Sequence, residues 1–353
     1  MKAAVFLGPG RIEVTDIPVP QVGPGDVLVE VRAASICGTD LRIMKHGHFR
    51  IPEGTRRVLG HELNGRIVEA GADVHGFAVG DRVSVAPNVG CGECAMCRRG
   101  LNQLCPTYDA FGITLNGGFE EYMLVPAVAI ERGNLFHVPD AVGDEIAAIM
   151  EPMSCCLHGQ RKVEVSPDDS VLIIGAGPIG CFHTVLAKRA GARQVIVANT
   201  RQPRLDIAGR LGADHLINVT EQDLHEEVMA LTGGAGVDVV ITCVSKPDVI
   251  ASTTDLAGRL GRINVFSGLG DQARPAIDVN ALHYQEQTLT GTTGSSVTDY
   301  GDVIDIIAES DVDLSPIITA RFALDDIEAA MEHSRSGVGM KSLITFPDRQ
   351  GQT

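Results

Sequence analysis

Positive charge is scarce in this chain: 29 lysines and arginines stand against 45 aspartates and glutamates, a formal charge of -16. Such a surface repels a phosphate backbone, so nucleic acid is not an expected partner. Long apolar runs are missing too. The opening MKAAVFLGPGRIEV turns polar after seven residues, and no stretch approaches the roughly 20 apolar residues of a membrane-spanning helix. No membrane partner is expected, and the chain reads as cytoplasmic. Nor is there an acidic tail, a low-complexity run or a fixed-period repeat.

What is present is ordinary globular composition, 44% hydrophobic and 21% charged over 353 residues, a length that predicts two domains. Nine cysteines is an odd number, and Cys91, Cys94, Cys97 and Cys105 crowd too closely for a typical disulfide framework. Metal binding is the better account of them.

The first half of the chain reads as strands. Asp26 to Ala33 alternates apolar and polar side chains, and Gly65 to Ala70 and Asp81 to Ala86 are β-rich runs between glycine-bearing turns. This predicts a mostly antiparallel β domain. From Ser170 the texture changes to strand-helix-strand: SVLIIGAG, a helical stretch to Ala190, QVIVAN, then a helix through Leu211 closed by Gly212. Further buried strands are predicted at Val237 to Cys243, Arg262 to Phe266 and Thr288 to Gly291, as a doubly wound parallel sheet requires. Ser315 to Phe322 and Lys341 to Phe346 read as strands that return to the first domain.

Gly175, Gly177, Pro178, Ile179 and Gly180 belong to a GAGPIG turn that follows a buried strand and opens a helix. In that context glycines let the backbone approach a pyrophosphate, which the helix N-terminus attracts. An acidic residue at the end of the next strand would bind the ribose of NAD. Asn199 stands there instead, followed by Thr200, Arg201 and Arg204. A hydroxyl and guanidinium groups suit the 2′-phosphate of NADP, so NADP is favoured over NAD. Arg201 and Arg204 also fit as solvated residues at a helix start.

Cys91-x2-Cys94-x2-Cys97-x7-Cys105 matches the four closely spaced thiolates of a tetrahedral structural zinc, a set with no open position for catalysis. A second set is dispersed. Cys37 in CGTD, His61 and Glu62 in GHE, and Glu151 in MEP supply a thiolate, an imidazole and carboxylates, which become ligand candidates only in combination.

The order CGTD, GHELNGRIVEAG, VGDRV, the four-cysteine lobe, GGFEEY, MEP and GAGPIG resembles the zinc-containing medium-chain dehydrogenase/reductase family, over nearly the whole chain. The resemblance leans to the sorbitol and polyol dehydrogenase branch. It implies an α/β protein. A GroES-like, mostly antiparallel β catalytic domain would span 1–153 and 292–353, with the structural zinc lobe at about 88–108. A Rossmann domain would span 154–291, with cofactor and small-molecule substrate held in the cleft. It implies two zinc ions, Cys37 and His61 as ligands of the catalytic one, and Glu62 or Glu151 on that zinc or on its water. Thr39 matches the family's Ser/Thr relay position, and a homo-oligomer, dimer or tetramer, is implied.

The expected reaction is hydride transfer between a secondary alcohol (a polyol, cyclitol, sugar or amino alcohol) and NADP, with zinc as Lewis acid. Three departures stand out. Arg42 replaces a histidine common in the family, Gly291-Thr292-Thr293-Gly294 replaces the Arg-Tyr pair of sorbitol dehydrogenases, and Glu120 sits where the family residue is usually small. The alternatives are a zinc-independent quinone or enone reductase, which would not need the cysteine lobe, and a non-catalytic NADPH-binding protein.

Overall fold

The computed structural model describes residues 1–270 and 273–347. The chain divides into two compact units, one of Met1–Ser154, Ser295–Asp311 and the chain from Ile318 onward, the other of Cys155–Gly294 with Val312–Ile317.

The first unit is built on a sheet whose strands lie in the order Leu135–His137, Arg82–Val85, Glu62–Ala70, Val27–Ser35, Lys341–Thr345, Ile318–Phe322. All neighbours are antiparallel except the last pair. Tyr122–Val125 adds a further antiparallel pairing onto Val27–Glu30. The alternation seen in Asp26 to Ala33 is real, but its polar positions are also covered. Glu30 is buried and accepts an ion pair from Arg32 at 3.1 Å, so this central strand is enclosed on both faces.

A separate three-stranded sheet joins Lys2–Gly8, Arg11–Asp16 and Arg57–Val58. Its strands are not evident in the sequence, where only the Gly8-Pro9-Gly10 turn announces them. The strand read from Ser315 starts at Ile318. Ser315–Ile317 is a 3-10 turn, as suits Pro316, which has no N–H for a ladder. The return of Lys341–Thr345 beside Val27–Ser35 carries Lys341 into the first unit, with consequences for the site below.

The second unit is a six-stranded, wholly parallel sheet. Its order is His215–Asn218, Gln194–Asn199, Ser170–Ile174, Val237–Thr242, Ala257–Val265, Thr288–Gly291. Numbered along the chain this is 3-2-1-4-5-6, the doubly wound arrangement that reverses beside its first strand. Val171, Leu172 and Ile173 are fully buried because helices cover both faces, which is why the run is continuously apolar. His215–Asn218 escaped the sequence reading: four residues with polar ends give too little pattern. No helix among the described residues is long and apolar enough to cross a membrane.

Candidate active site and metal centres

Cys37 lies two residues beyond the central strand Val27–Ser35 and caps the helix Gly38–His46. The buried Asp40 fixes that entry by accepting the Cys37 N–H at 2.8 Å and the Gly60 N–H at 3.2 Å. Gly60 turns the chain with φ +88, and a side chain there would drive into the Phe119 ring, 2.7 Å from a Cβ. His61 and Glu62 follow at the start of the strand Glu62–Ala70. Two backbone corners, both tied to one carboxylate, thus carry Cys37 and His61 to the same place.

Ligand atoms of Cys37, His61 and Glu62 all lie within 4.8 Å of one another. His61 is buried and its Nδ1 has no hydrogen-bond partner, with the Asp40 carboxylate 3.6 Å away. Burial opposes charge on this ring, but Cys37 and Asp40 outweigh it and hold the imidazole well above its ordinary pKa. A pocket that draws a proton onto a buried imidazole favours a cation, and a divalent metal suits the same thiolate, imidazole and carboxylate donors. The residues present therefore fit a zinc ion. Thr39 is half-buried in the first turn of the helix after Cys37. Glu151 is buried in the first turn of Met150–Lys162 and is not part of the three-residue group.

Lys341, in sequence an ordinary strand residue, belongs to this centre. Its ammonium donates to Glu62 Oε1 at 2.6 Å and more closely to Oε2, and to the Ile36 carbonyl at 3.4 Å. Burial works against the charge, but Glu62, Cys37 and Glu151 carry the Lys341 pKa above the ordinary lysine value.

The four-cysteine lobe is a second centre. All four Sγ atoms lie within 4.8 Å of one another, and Cys91 and Cys97 are 4.0 Å apart. A disulfide needs about 2 Å, whereas thiolates at about 2.3 Å from a tetrahedral zinc sit about 3.8 Å apart. Backbone N–H groups of Glu93 and Cys94 point at the Cys91 sulfur and lower its pKa to about 6, while burial pushes Cys97 up to about 12. In metal-free protein at pH 7, Cys91 should therefore react with iodoacetamide at least tenfold faster than Cys97. Site-resolved labelling by mass spectrometry checks this, and zinc should protect both; equal rates would contradict the charge assignment.

In the second unit, Gly175 takes φ +113 after the first strand, and a Cβ on Gly180 would lie 1.8 Å from the Gly175 carbonyl oxygen, so the turn packs tightly on the helix Pro178–Arg189. A Cβ on Gly177 would meet only the Arg204 guanidinium, 3.7 Å away. The helix thus presents unpaired N–H groups beside an open backbone, with one cation near. Asn199 does not point outward: its Oδ1 accepts the Ala176 N–H at 3.3 Å and its Nδ2 donates to the Arg201 carbonyl at 3.2 Å. Thr200 and Arg201 are exposed beyond it.

An antiparallel-rich unit carrying two metal-ligand clusters, joined in one chain to a glycine-turn parallel sheet, defines a metal-using nicotinamide dehydrogenase. The chain belongs to the zinc-containing medium-chain dehydrogenase family: residues 23–140 match the alcohol dehydrogenase GroES-like domain and 178–309 the zinc-binding dehydrogenase domain. It is 36% identical over 351 residues to an L-threonine 3-dehydrogenase of Burkholderia thailandensis, covering 98% of this chain and 99% of the relative. Among solved structures, a protein described as a zinc-binding dehydrogenase of Sinorhizobium meliloti, bound to NADP, superposes with a TM-score of 0.90 at 30% identity, covering 98% of this chain and 99% of the other. One described as a short chain alcohol dehydrogenase of Escherichia coli, complexed with NADH, gives 0.88 at 28% identity with the same coverage. The protein is an alcohol-type oxidoreductase that uses zinc and a nicotinamide cofactor on a small molecule.

Proposed function

We propose that this chain oxidises a polar secondary alcohol with NADP, the first unit as catalytic domain and the second as nucleotide domain, with two zinc ions per chain. Cys37, His61 and Glu62 would hold the catalytic zinc, and Cys91, Cys94, Cys97 and Cys105 the structural one. The observation that carries this reading is the convergence of a buried thiol, imidazole and carboxylate within 4.8 Å. When bound, the metal supplies Lewis acidity that lowers the pKa of an alcohol, and the nicotinamide accepts hydride.

The chain's own groups do the rest. Asp40 anchors both corners and sets its carboxylate 3.6 Å from the His61 ring; Lys341 binds the buried Glu62 carboxylate and holds it in place. Thr39 passes the substrate proton outward, and the buried Glu151 adds a second carboxylate whose charge is felt at Lys341. Amino alcohols come first in the substrate class, ahead of polyols, cyclitols and sugars, because the curated relatives are named L-threonine 3-dehydrogenase.

For the cofactor, the support is a strand end with no acid and the Arg204 guanidinium near the glycine turn. A charge-assisted bond to a 2′-phosphate contributes about 1.5–3 kcal/mol. Replacing Arg201 and Arg204 together by alanine should therefore raise KM for NADP about 10- to 100-fold or more and leave that for NAD within a factor of about three. The test is a rate panel of zinc-analysed protein with NADP and NAD against amino alcohols, polyols, cyclitols and simple secondary alcohols. Turnover with NADP and about two zinc ions per chain is the expected result. Preference for NAD would remove the cofactor assignment, and turnover of nothing with one zinc or none would favour a non-catalytic NADPH-binding protein.

A further inference from the structure

Glu120 is 0% exposed, and neither carboxylate oxygen has a hydrogen-bond partner. It lies opposite Ala3 in the segment that crosses the N-terminal sheet. The opposite charge that acts on Glu120 is Arg57, on the short strand Arg57–Val58, which does so electrostatically without bonding to it. Arg57 is committed elsewhere: Nη1 donates to Asn116 Oδ1 at 3.2 Å, while its buried Nε has no partner. A fully buried carboxylate with no partner and a half-buried guanidinium whose buried Nε has none thus act on each other without bonding, an arrangement that needs an explanation.

Their surroundings supply one. Asn116 Oδ1 also accepts the Val58 N–H at 3.3 Å. Gly117, Phe119 and Gly118 then donate to the carbonyls of Val58, Leu59 and Gly60 at 2.9, 3.1 and 2.8 Å. This ladder clamps the three residues that lead directly into His61. A neutral Glu120 leaves Arg57 on Asn116 and the clamp closed. An ionised Glu120 is costly to leave buried and unpaired, and Arg57 is the cation that acts on it. Moving Arg57 breaks its bond to Asn116, the side chain that also anchors Val58.

We propose that Glu120 is a proton-controlled positioning residue: protonated, it keeps the Arg57–Gly60 segment clamped, and ionised, it draws Arg57 off Asn116 and loosens the peptide that carries His61. Its bearing on catalysis rests on His61 being a zinc ligand, as proposed above; the switch itself does not. Asp109 also acts on Arg57, and Glu121, next in the chain, is bound through Oε2 to the Lys2 N–H, with the Lys2 ammonium turned to Asp325. Burial, opposed by Arg57, pushes the Glu120 pKa up to about 8, so the switch operates on the mildly alkaline side of neutrality.

The test is amide hydrogen exchange of the peptide spanning residues 57–62, in zinc-loaded wild type and Glu120→Gln, each at pH 6.5 and pH 9. Taking the ratio of the two proteins at each pH cancels the intrinsic pH dependence of exchange. The ratio should be near one at pH 6.5, with wild type exchanging at least fivefold faster at pH 9. An unchanged ratio would overturn the proposal. Glu120→Ala, which also removes the titrating group, serves if the glutamine variant folds poorly, and Arg57→Met should abolish the pH 9 difference by removing the answering cation. Metal release to a chelator provides a separate readout. A pH-dependent exchange ratio with equal release from wild type and Glu120→Gln at both pH values leaves the switch standing and removes its bearing on the zinc site.

Discussion

Lys341→Met should destabilise the metal-free protein by about 3–5 kcal/mol, the usual cost of leaving one partner of a buried ion pair alone. Glu62 is 0% exposed and Lys341 only 5%, so water cannot replace the lost ammonium. The stranded carboxylate can escape only by taking up a proton, so the deficit should grow as pH rises. In wild type the sign is different. The folded pKa of Lys341 is raised, so its contribution is complete below the ordinary lysine value and fades only as pH climbs through the raised one, leaving the range from pH 6 to 9 flat.

Denaturant unfolding of chelator-treated protein measures the loss. Glu62→Gln in the Lys341→Met background should recover most of it, with a coupling above about 2 kcal/mol in the double-mutant cycle. Zinc should reduce the penalty as well, because a bound dication offers Glu62 another positive partner. A cost under about 1 kcal/mol would mean that the pair is solvated and behaves as a surface bridge.

That pair also marks where the sequence ceased to be legible. The inner parallel strands Ser170–Ile174, Gln194–Asn199 and Val237–Thr242 carry apolar runs that announce themselves, because helices bury both faces of the sheet there, whereas the short His215–Asn218 does not. The cysteine lobe is equally plain, since its four ligands fall within one short loop. Lys341 is another matter: a lysine at the start of KSLITF looks like any strand residue with its head in water. Only the crossing of the chain back to Val27–Ser35 puts it against Glu62, some 280 residues away in sequence.

Asp40 was legible as part of CGTD but not as the residue that ties Gly60 to Cys37, because that bond joins two separate corners of the fold. Glu120 was visible as an anomaly and nothing more. Its meaning lies in its burial without a partner while Arg57 is bonded to Asn116, and such juxtapositions are set by packing, which no local pattern encodes. Asn199 held the opposite surprise: its position suggested the ribose, yet its amide is spent on the glycine turn itself, which leaves Arg201 and Arg204 to carry the cofactor argument.

Cys37→Ser should abolish turnover, by roughly 10³-fold or more, while leaving nucleotide binding intact. An alcohol unaided by a metal ionises too weakly at neutral pH to release hydride, and Lewis-acid assistance is worth several kcal/mol of barrier. Serine at Cys37 keeps the helix entry, because Asp40 bonds the backbone N–H of this residue and not its side chain. The fold should therefore survive, and zinc analysis should fall from about two ions per chain to one, the remaining ion held by the cysteine lobe. Cys97→Ser should give the converse, loss of the other ion together with the order of the lobe. If Cys37→Ser instead retained turnover with one zinc, hydride would be leaving without metal assistance. The chain would then work as the zinc-independent reductases do, and the buried trio of Cys37, His61 and Glu62 would be a packing arrangement with Lys341 as its counter-charge.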